Sequence, residues 1–113
     1  MNMTVEQRDG VKVVELQGDL DTTTVPTVHA GLIAEVADGV RLVLDMHGVR
    51  YMSSAGLRLM LSVYRKAQER GGDLVLVGLS DAIRDTMEVT GFLNFFQAYE
   101  TLEDGLRVLG APR

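Results

Sequence analysis

Residues 42–58 read Leu42-Val43-Leu44-Asp45-Met46-His47-Gly48-Val49-Arg50-Tyr51-Met52-Ser53-Ser54-Ala55-Gly56-Leu57-Arg58. An apolar strand runs into this stretch and a helix runs out of it. From Leu57 onward, Leu57, Met60, Leu61, Tyr64 and Ala67 recur at helical spacing, which reads as the core stripe. Between strand and helix stand Ser53 and Ser54. The first turn of a helix leaves backbone N–H groups unpaired, and the helix dipole favours negative charge there. A serine at that place either caps the helix or carries a phosphate.

Working outward, the same strand-then-helix unit recurs. Val40–Met46 is near-continuously apolar, as expected of a strand covered on both faces. Leu74–Val77 is a second such strand, reached after Gly71-Gly72 stops the long helix. Before residue 40, Ala30, Ile33, Ala34 and Ala37 predict a helix from about Val25 to Ala37, with Pro26 in its first turn. Thr4–Gln7 and Val11–Leu16 flank an Asp9-Gly10 turn signal and predict a hairpin. After the last buried strand, Ser80 or Asp81 caps a short helix through Val89, and Phe95-Phe96 reads as a short edge strand. Thr101 and Asp104 open a last helix with apolar Leu102, Leu106 and Leu109. The expected fold is α/β, one domain over residues 1–113 with a mostly parallel sheet. The opening hairpin supplies its antiparallel strand.

Bulk properties exclude several functions. The chain has 113 residues, 46% hydrophobic and 24% charged, with a net charge of −5. No basic stripe offers itself to nucleic acid or to an anionic membrane. There is no cysteine, hence no disulfide, thiolate nucleophile or zinc–thiolate site. No apolar run approaches a membrane span, and Met1–Glu6 has no secretory pattern, so a cytoplasmic location is expected. Only 5% of residues are aromatic, which argues against a base-stacking surface.

Catalytic patterns are missing as well. A serine elbow needs glycines two residues before and two after the nucleophile. Gly56 follows Ser54, but Met52 stands where the first glycine belongs. His29 and His47 have no patterned acid partner and read as surface or half-buried side chains. No ligand spacing suggests a metal, and no phosphate loop or dinucleotide fingerprint occurs. No catalytic residue, metal or cofactor is expected, and the chain reads as a non-enzyme.

Four segments in order resemble the STAS-domain family, and within it the bacterial anti-sigma factor antagonists. They are Gly18-Asp19-Leu20-Asp21, Leu44-Asp45-Met46, Tyr51-Met52-Ser53-Ser54-Ala55-Gly56-Leu57 and, more weakly, Met87-Glu88-Val89-Thr90-Gly91-Phe92. The resemblance covers nearly the whole chain. It implies a five-stranded sheet with helices mainly on one face. It also implies partner switching. The unphosphorylated protein binds an ATP-dependent, GHKL-type anti-sigma factor serine kinase and frees the sigma factor; phosphorylation blocks binding; a PP2C-type phosphatase restores it. The acceptor falls on Ser54, with Ser53 as second choice. The partner-binding set that follows is Asp21, Thr22, Thr23, Ser53, Ser54, Ala55, Gly56 and Arg58. Ser53 replaces an Asp common in the family, Ala55 a Ser or Thr, and Arg58 a Gly.

Residue chemistry alone leaves the alternatives open. Ser53 can cap while Ser54 is modified. Asp21 can cap the first helix or touch a partner, and Thr22, Thr23 and Thr24 suit a turn. The side of the long helix bearing Ser62 and Arg65 is either solvated or a contact surface. The competing functions are a STAS interaction or scaffold subunit of another signalling or lipid-transport complex, and an enzyme or nucleotide-binding protein.

Overall fold

A computed structural model of the protein describes residues 1–110; Ala111–Arg113, the end of the expected domain span, lie outside the described residues. Strands β1 (Asn2–Arg8) and β2 (Val11–Gln17) pair antiparallel, from Asn2 opposite Gln17 to Arg8 opposite Val11. Asp9 and Gly10 join them with φ of 51° and 82°. That pair of positive values is what a two-residue type I′ turn requires.

The chain then adds β3 (Arg41–Gly48), β4 (Asp73–Val77) and β5 (Gln97–Tyr99), each parallel to its predecessor. The sheet runs in chain order, β1-β2-β3-β4-β5. The crossovers are α1 (Val25–Ala34), α2 (Ser54–Glu69) and α3 (Asp81–Val89). When parallel strands are added always in one direction, right-handed crossovers all fall on the same face. That face buries Leu16, Leu44, Met46 and Leu76 against Leu32, Met60, Val63 and Met87. The final helix, α4 (Leu102–Gly110), has no further strand to reach. It packs on the other face, where Leu109 joins Val11, Val13, Val43, Val75 and Val77. Two covered faces explain why the central strands read as unbroken apolar runs.

Caps fall mainly where the sequence placed them. The Ser80 hydroxyl oxygen accepts from the Ile83 N–H at 3.2 Å, and Thr101 Oγ1 accepts from the Asp104 N–H at 3.1 Å. Three expectations need correction. Helix α1 ends at Ala34 rather than Ala37, and it buries Val28 and Leu32, with Val36 just beyond; Ala30, Ala34 and Ala37 are exposed. Both sets keep helical spacing, but the larger side chains remove more apolar area from water. The α1 end is held by Lys12 Nζ, which donates to the Glu35 carbonyl at 2.9 Å and pairs with its carboxylate at 3.1 Å.

In α2 the buried stripe runs through Leu57, Leu59, Met60, Val63 and Ala67, while Leu61 and Tyr64 are half-buried at its margins. Phe95 and Phe96 are not strand residues. A 3-10 turn spans Phe92–Phe95, and the edge strand begins at Gln97. The two rings instead pack on Tyr64, at centroid distances of 5.7 and 5.4 Å.

Candidate functional site

The loops after β2 and β3 are laced together beyond the sheet. The Gly18 N–H donates to the Gly48 carbonyl at 3.0 Å, the Leu20 N–H to the Tyr51 carbonyl at 2.9 Å, and the Ser53 N–H to the Leu20 carbonyl at 2.8 Å. Leu20 and Met52 thereby form an isolated parallel bridge. Leu20 is fully buried, which anchors the lacing in the core. Ser53 leaves this bridge in an extended conformation, φ −79° and ψ 178°, and α2 starts at the next residue. The start of α2 presses on the bridge. A Cβ on Gly56 would overlap Met52 Cγ and lie 3.1 Å from Leu20 Cβ.

The lacing brings the predicted partner-binding residues to one end of the molecule. Ser54 is exposed at the first position of α2, whose first turn contains no acidic residue. Ala55 and Gly56 are buried, Gly56 against the bridge, and Arg58 is exposed one turn further on. Asp21 follows Leu20 directly, and its Oδ1 accepts from the N–H groups of Thr23 at 2.9 Å and Thr24 at 3.0 Å. It therefore caps the turn that leads into α1. Thr24 Oγ1 closes the same turn by donating to the Asp19 carbonyl at 2.7 Å. Thr22 and Thr23 are exposed beside it.

Ser53 departs from the capping expectation. It occupies the N-cap position of α2, yet its hydroxyl makes no cap hydrogen bond. Its oxygen is buried and has no partner among the described residues. The backbone lacing fixes where Ser53 sits, and the side chain faces inward rather than along the helix.

Among the described residues the histidines make their hydrogen bonds elsewhere than Ser53 and Ser54. His47 stands near the end of β3. Its Nδ1 is 2.6 Å from Asp45 Oδ1 and its Nε2 3.1 Å from the Glu100 carbonyl, while its backbone N–H donates to Asp45 Oδ1 at 3.0 Å. Asp45, only 7% exposed, is thus paired on the α4-covered face of the sheet, the face it shares with Val43. Gly78, with φ of 74°, lets the β4 end pass against the His47 ring, where any Cβ would collide. The pairing is missed when the two residues are read separately, although residues two apart on a strand share a face. His29 Nε2 meets Ser62 Oγ at 3.0 Å, bridging α1 and α2. Tyr51, 55% exposed beside the serines, is a further candidate contact, and its sequence signal is an aromatic residue just before a helix start.

Among the described residues no three His, Asp or Glu side chains are arranged to hold a metal ion. No helix among them is long and apolar enough to cross a membrane.

Comparison with known proteins fits this geometry. The STAS domain description matches residues 2–105. BtrV of Bordetella bronchiseptica, provisionally assigned as an anti-sigma factor antagonist, is 36% identical over 104 residues, covering 91% of this chain and 90% of that protein. An anti-sigma-B factor antagonist of Listeria monocytogenes is 32% identical over 101 residues, 86% of this chain and 89% of its own. The crystal structure of an anti-sigma factor antagonist from Mycobacterium paratuberculosis superposes with a TM-score of 0.87 at 32% identity, over 97% of this chain and 94% of that one. Together with the five-stranded sheet and the serine-bearing start of α2, these matches establish that the chain belongs to the STAS-domain family.

Proposed function

We propose that this protein is an anti-sigma factor antagonist that works by partner switching, with Ser54 as the controlling residue. In its unphosphorylated form the end of the molecule bearing Asp21, Thr22, Thr23 and the start of α2 binds an anti-sigma factor, which is itself a GHKL-type serine kinase using ATP. Phosphorylation of Ser54 ends that binding, and a PP2C-type phosphatase reverses it. The antagonist itself performs no chemistry, needs no cofactor and acts in the cytoplasm.

The observation that carries this reading is the position of Ser54. Its exposed hydroxyl lies on a helix start with no acidic residue in the first turn, next to a loop laced rigidly against it. A phosphate there adds about −1.5 to −2 charges and three strong acceptor oxygens. Free N–H groups of the first turn lie within the same turn as the phosphate, and Arg58 stands one turn on. The fold can therefore hold the phosphate without unfolding. A partner surface shaped for a neutral serine then faces bulk and charge beside Asp19 and Asp21. A loss of roughly 3 kcal/mol weakens binding more than a hundredfold.

Tryptic mass spectrometry of the protein from its native cells tests the reading. Cleavage after Arg50 and Arg58 releases Tyr51–Arg58, in which Ser53 and Ser54 are the aliphatic hydroxyls. Phosphate on Ser54 that disappears on phosphatase treatment is the expected result. An unmodified peptide across growth and stress conditions removes the switch.

A further inference from the structure

A groove of about 430 Å³ runs between α1 and α2 on the outer helical layer. Half-buried Ile33 and Leu61 supply its apolar surface, and Arg58, Arg65 and Lys66 stand along it, with Glu69 at the far end. From α1 the groove takes the apolar side chain of Ile33, and its charged lining is all from α2. The groove therefore carries three cations and one carboxylate in a protein whose net charge is −5.

Arg8, Lys12, Arg70 and Arg107 each meet a carboxylate within 3.1 Å. Among the described residues Arg58, Arg65 and Lys66 have no ion-pair partner, as is also true of Arg50 and Arg84 elsewhere on the chain. Arg58, Leu61 and Arg65 follow Ser54 at helical spacing, so the groove begins one turn below the switch residue. From Arg58 to Glu69 the helix covers about 16 Å at ~1.5 Å per residue, the length of three turns of a partner helix.

We propose that the α1–α2 groove is a second docking surface, and that its occupant is an acidic amphipathic helix of the protein partner. Apolar side chains at helical spacing cover Ile33 and Leu61, and carboxylates face Arg58, Arg65 and Lys66. Only the identity of that partner, the anti-sigma factor, rests on the partner-switching reading; the groove and its charge do not.

Titration of the full chain with the anti-sigma factor that co-purifies from native cells tests the proposal, using wild type, Arg65→Glu and Ser54→Asp. Arg65 is exposed and has no ion-pair partner among the described residues, so its reversal leaves folding intact. The expected result is an affinity about tenfold or more weaker for Arg65→Glu, with a smaller dependence on salt than wild type. Wild-type affinity for Arg65→Glu beside a weakened Ser54→Asp overturns the groove and leaves the switch. A weakened Arg65→Glu beside an unaffected Ser54→Asp does the reverse.

A second probe needs no anti-sigma factor. A synthetic helical peptide with leucines on one face and glutamates on the other is added to nitrogen-15-labelled protein. Saturable amide shifts centred on Ile33, Leu61 and Arg65, lost in Arg65→Glu, are expected. No shifts there, equal binding of a leucine-to-serine peptide, or shifts reproduced by DNA or by raising the protein concentration overturn the assigned occupant.

Discussion

Leu20 and Met52 pair in a single parallel bridge beyond the ends of β2 and β3, and Gly56 rests on that bridge without room for a side chain. Gly56→Ala sets two effects against each other. Removing a helical glycine gains about 1 kcal/mol, whereas forcing a methyl into a packed contact costs about 1–3 kcal/mol. Met52 Cγ lies close to its own backbone and cannot swing aside as the tip of a long side chain does. The cost therefore wins, and Gly56→Ala lowers the melting temperature by about 4 °C for each kcal/mol lost. Thermal denaturation followed by circular dichroism reads this directly; an unchanged or raised midpoint means the bridge yields.

Ser53→Ala distinguishes a cap from a buried hydroxyl. Losing a working N-cap costs about 0.5–2 kcal/mol. The Ser53 hydroxyl instead caps nothing and is buried without a partner among the described residues. Removing such a group relieves a desolvation penalty. Urea unfolding of Ser53→Ala is expected to give a stability equal to or above wild type. A loss of about 1 kcal/mol would show that the hydroxyl turns to cap α2 in solution.

Asp21 has two separable roles. Its Oδ1 accepts from Thr23 and Thr24, which any side-chain oxygen at that position does. Asp21→Asn therefore keeps the turn, while Asp21→Ala costs about 1 kcal/mol. If the carboxylate also contacts the anti-sigma factor, Asp21→Asn weakens binding at unchanged stability. Unfolding curves measured beside binding isotherms for the pair of variants separate the two.

Most of the fold was legible because hydrophobic period and turn chemistry agree. The Asp9-Gly10 signal gave the hairpin, and two covered faces gave the unbroken strands. What failed did so where two answers share one period. In α1 the set Ala30, Ile33, Ala34 and Ala37 and the set Val28, Leu32 and Val36 both repeat helically; only side-chain volume against the sheet chooses between them. Phe95 and Phe96 have strand propensity, yet Tyr64, distant in sequence, draws both rings into a 3-10 turn and its exit. The serine site was legible as a place, because a strand, a polar loop and a helix start are local features. The inward turn of Ser53 was not, since it follows from hydrogen bonds to Leu20, more than thirty residues away in sequence.

His47 and Gly78 should be coupled. Ala at Gly78 must adopt a φ near 74° and meets the imidazole ring. The left-handed backbone alone costs about 1–2 kcal/mol. His47→Ala removes the ring together with its contacts to Asp45 and the Glu100 carbonyl, so it is destabilising by itself. The double variant loses less than the sum of the two, by about 0.5–3 kcal/mol, because the collision vanishes. Additive losses in a double-mutant cycle would place the strain in the backbone and not against the ring.

Phosphate at Ser54 should leave the domain folded and slightly firmer. The first turn of α2 has no acidic residue to complement its dipole. A negative group there typically stabilises by about 0.3–1 kcal/mol. Arg58 at i+4 adds an ion pair that exists only in the phosphorylated form. The phosphoprotein is thus expected to melt at or above the temperature of the unmodified protein. Arg58→Ala lowers the melting temperature of the phosphorylated form more than that of the unphosphorylated one, and high salt shrinks the difference. Calorimetry of the four species gives the coupling between phosphate and guanidinium. If phosphorylation instead lowers stability by about 1 kcal/mol or more, roughly fivefold in the folding equilibrium, the switch acts by loosening the start of α2 and not by presenting charge on an intact surface.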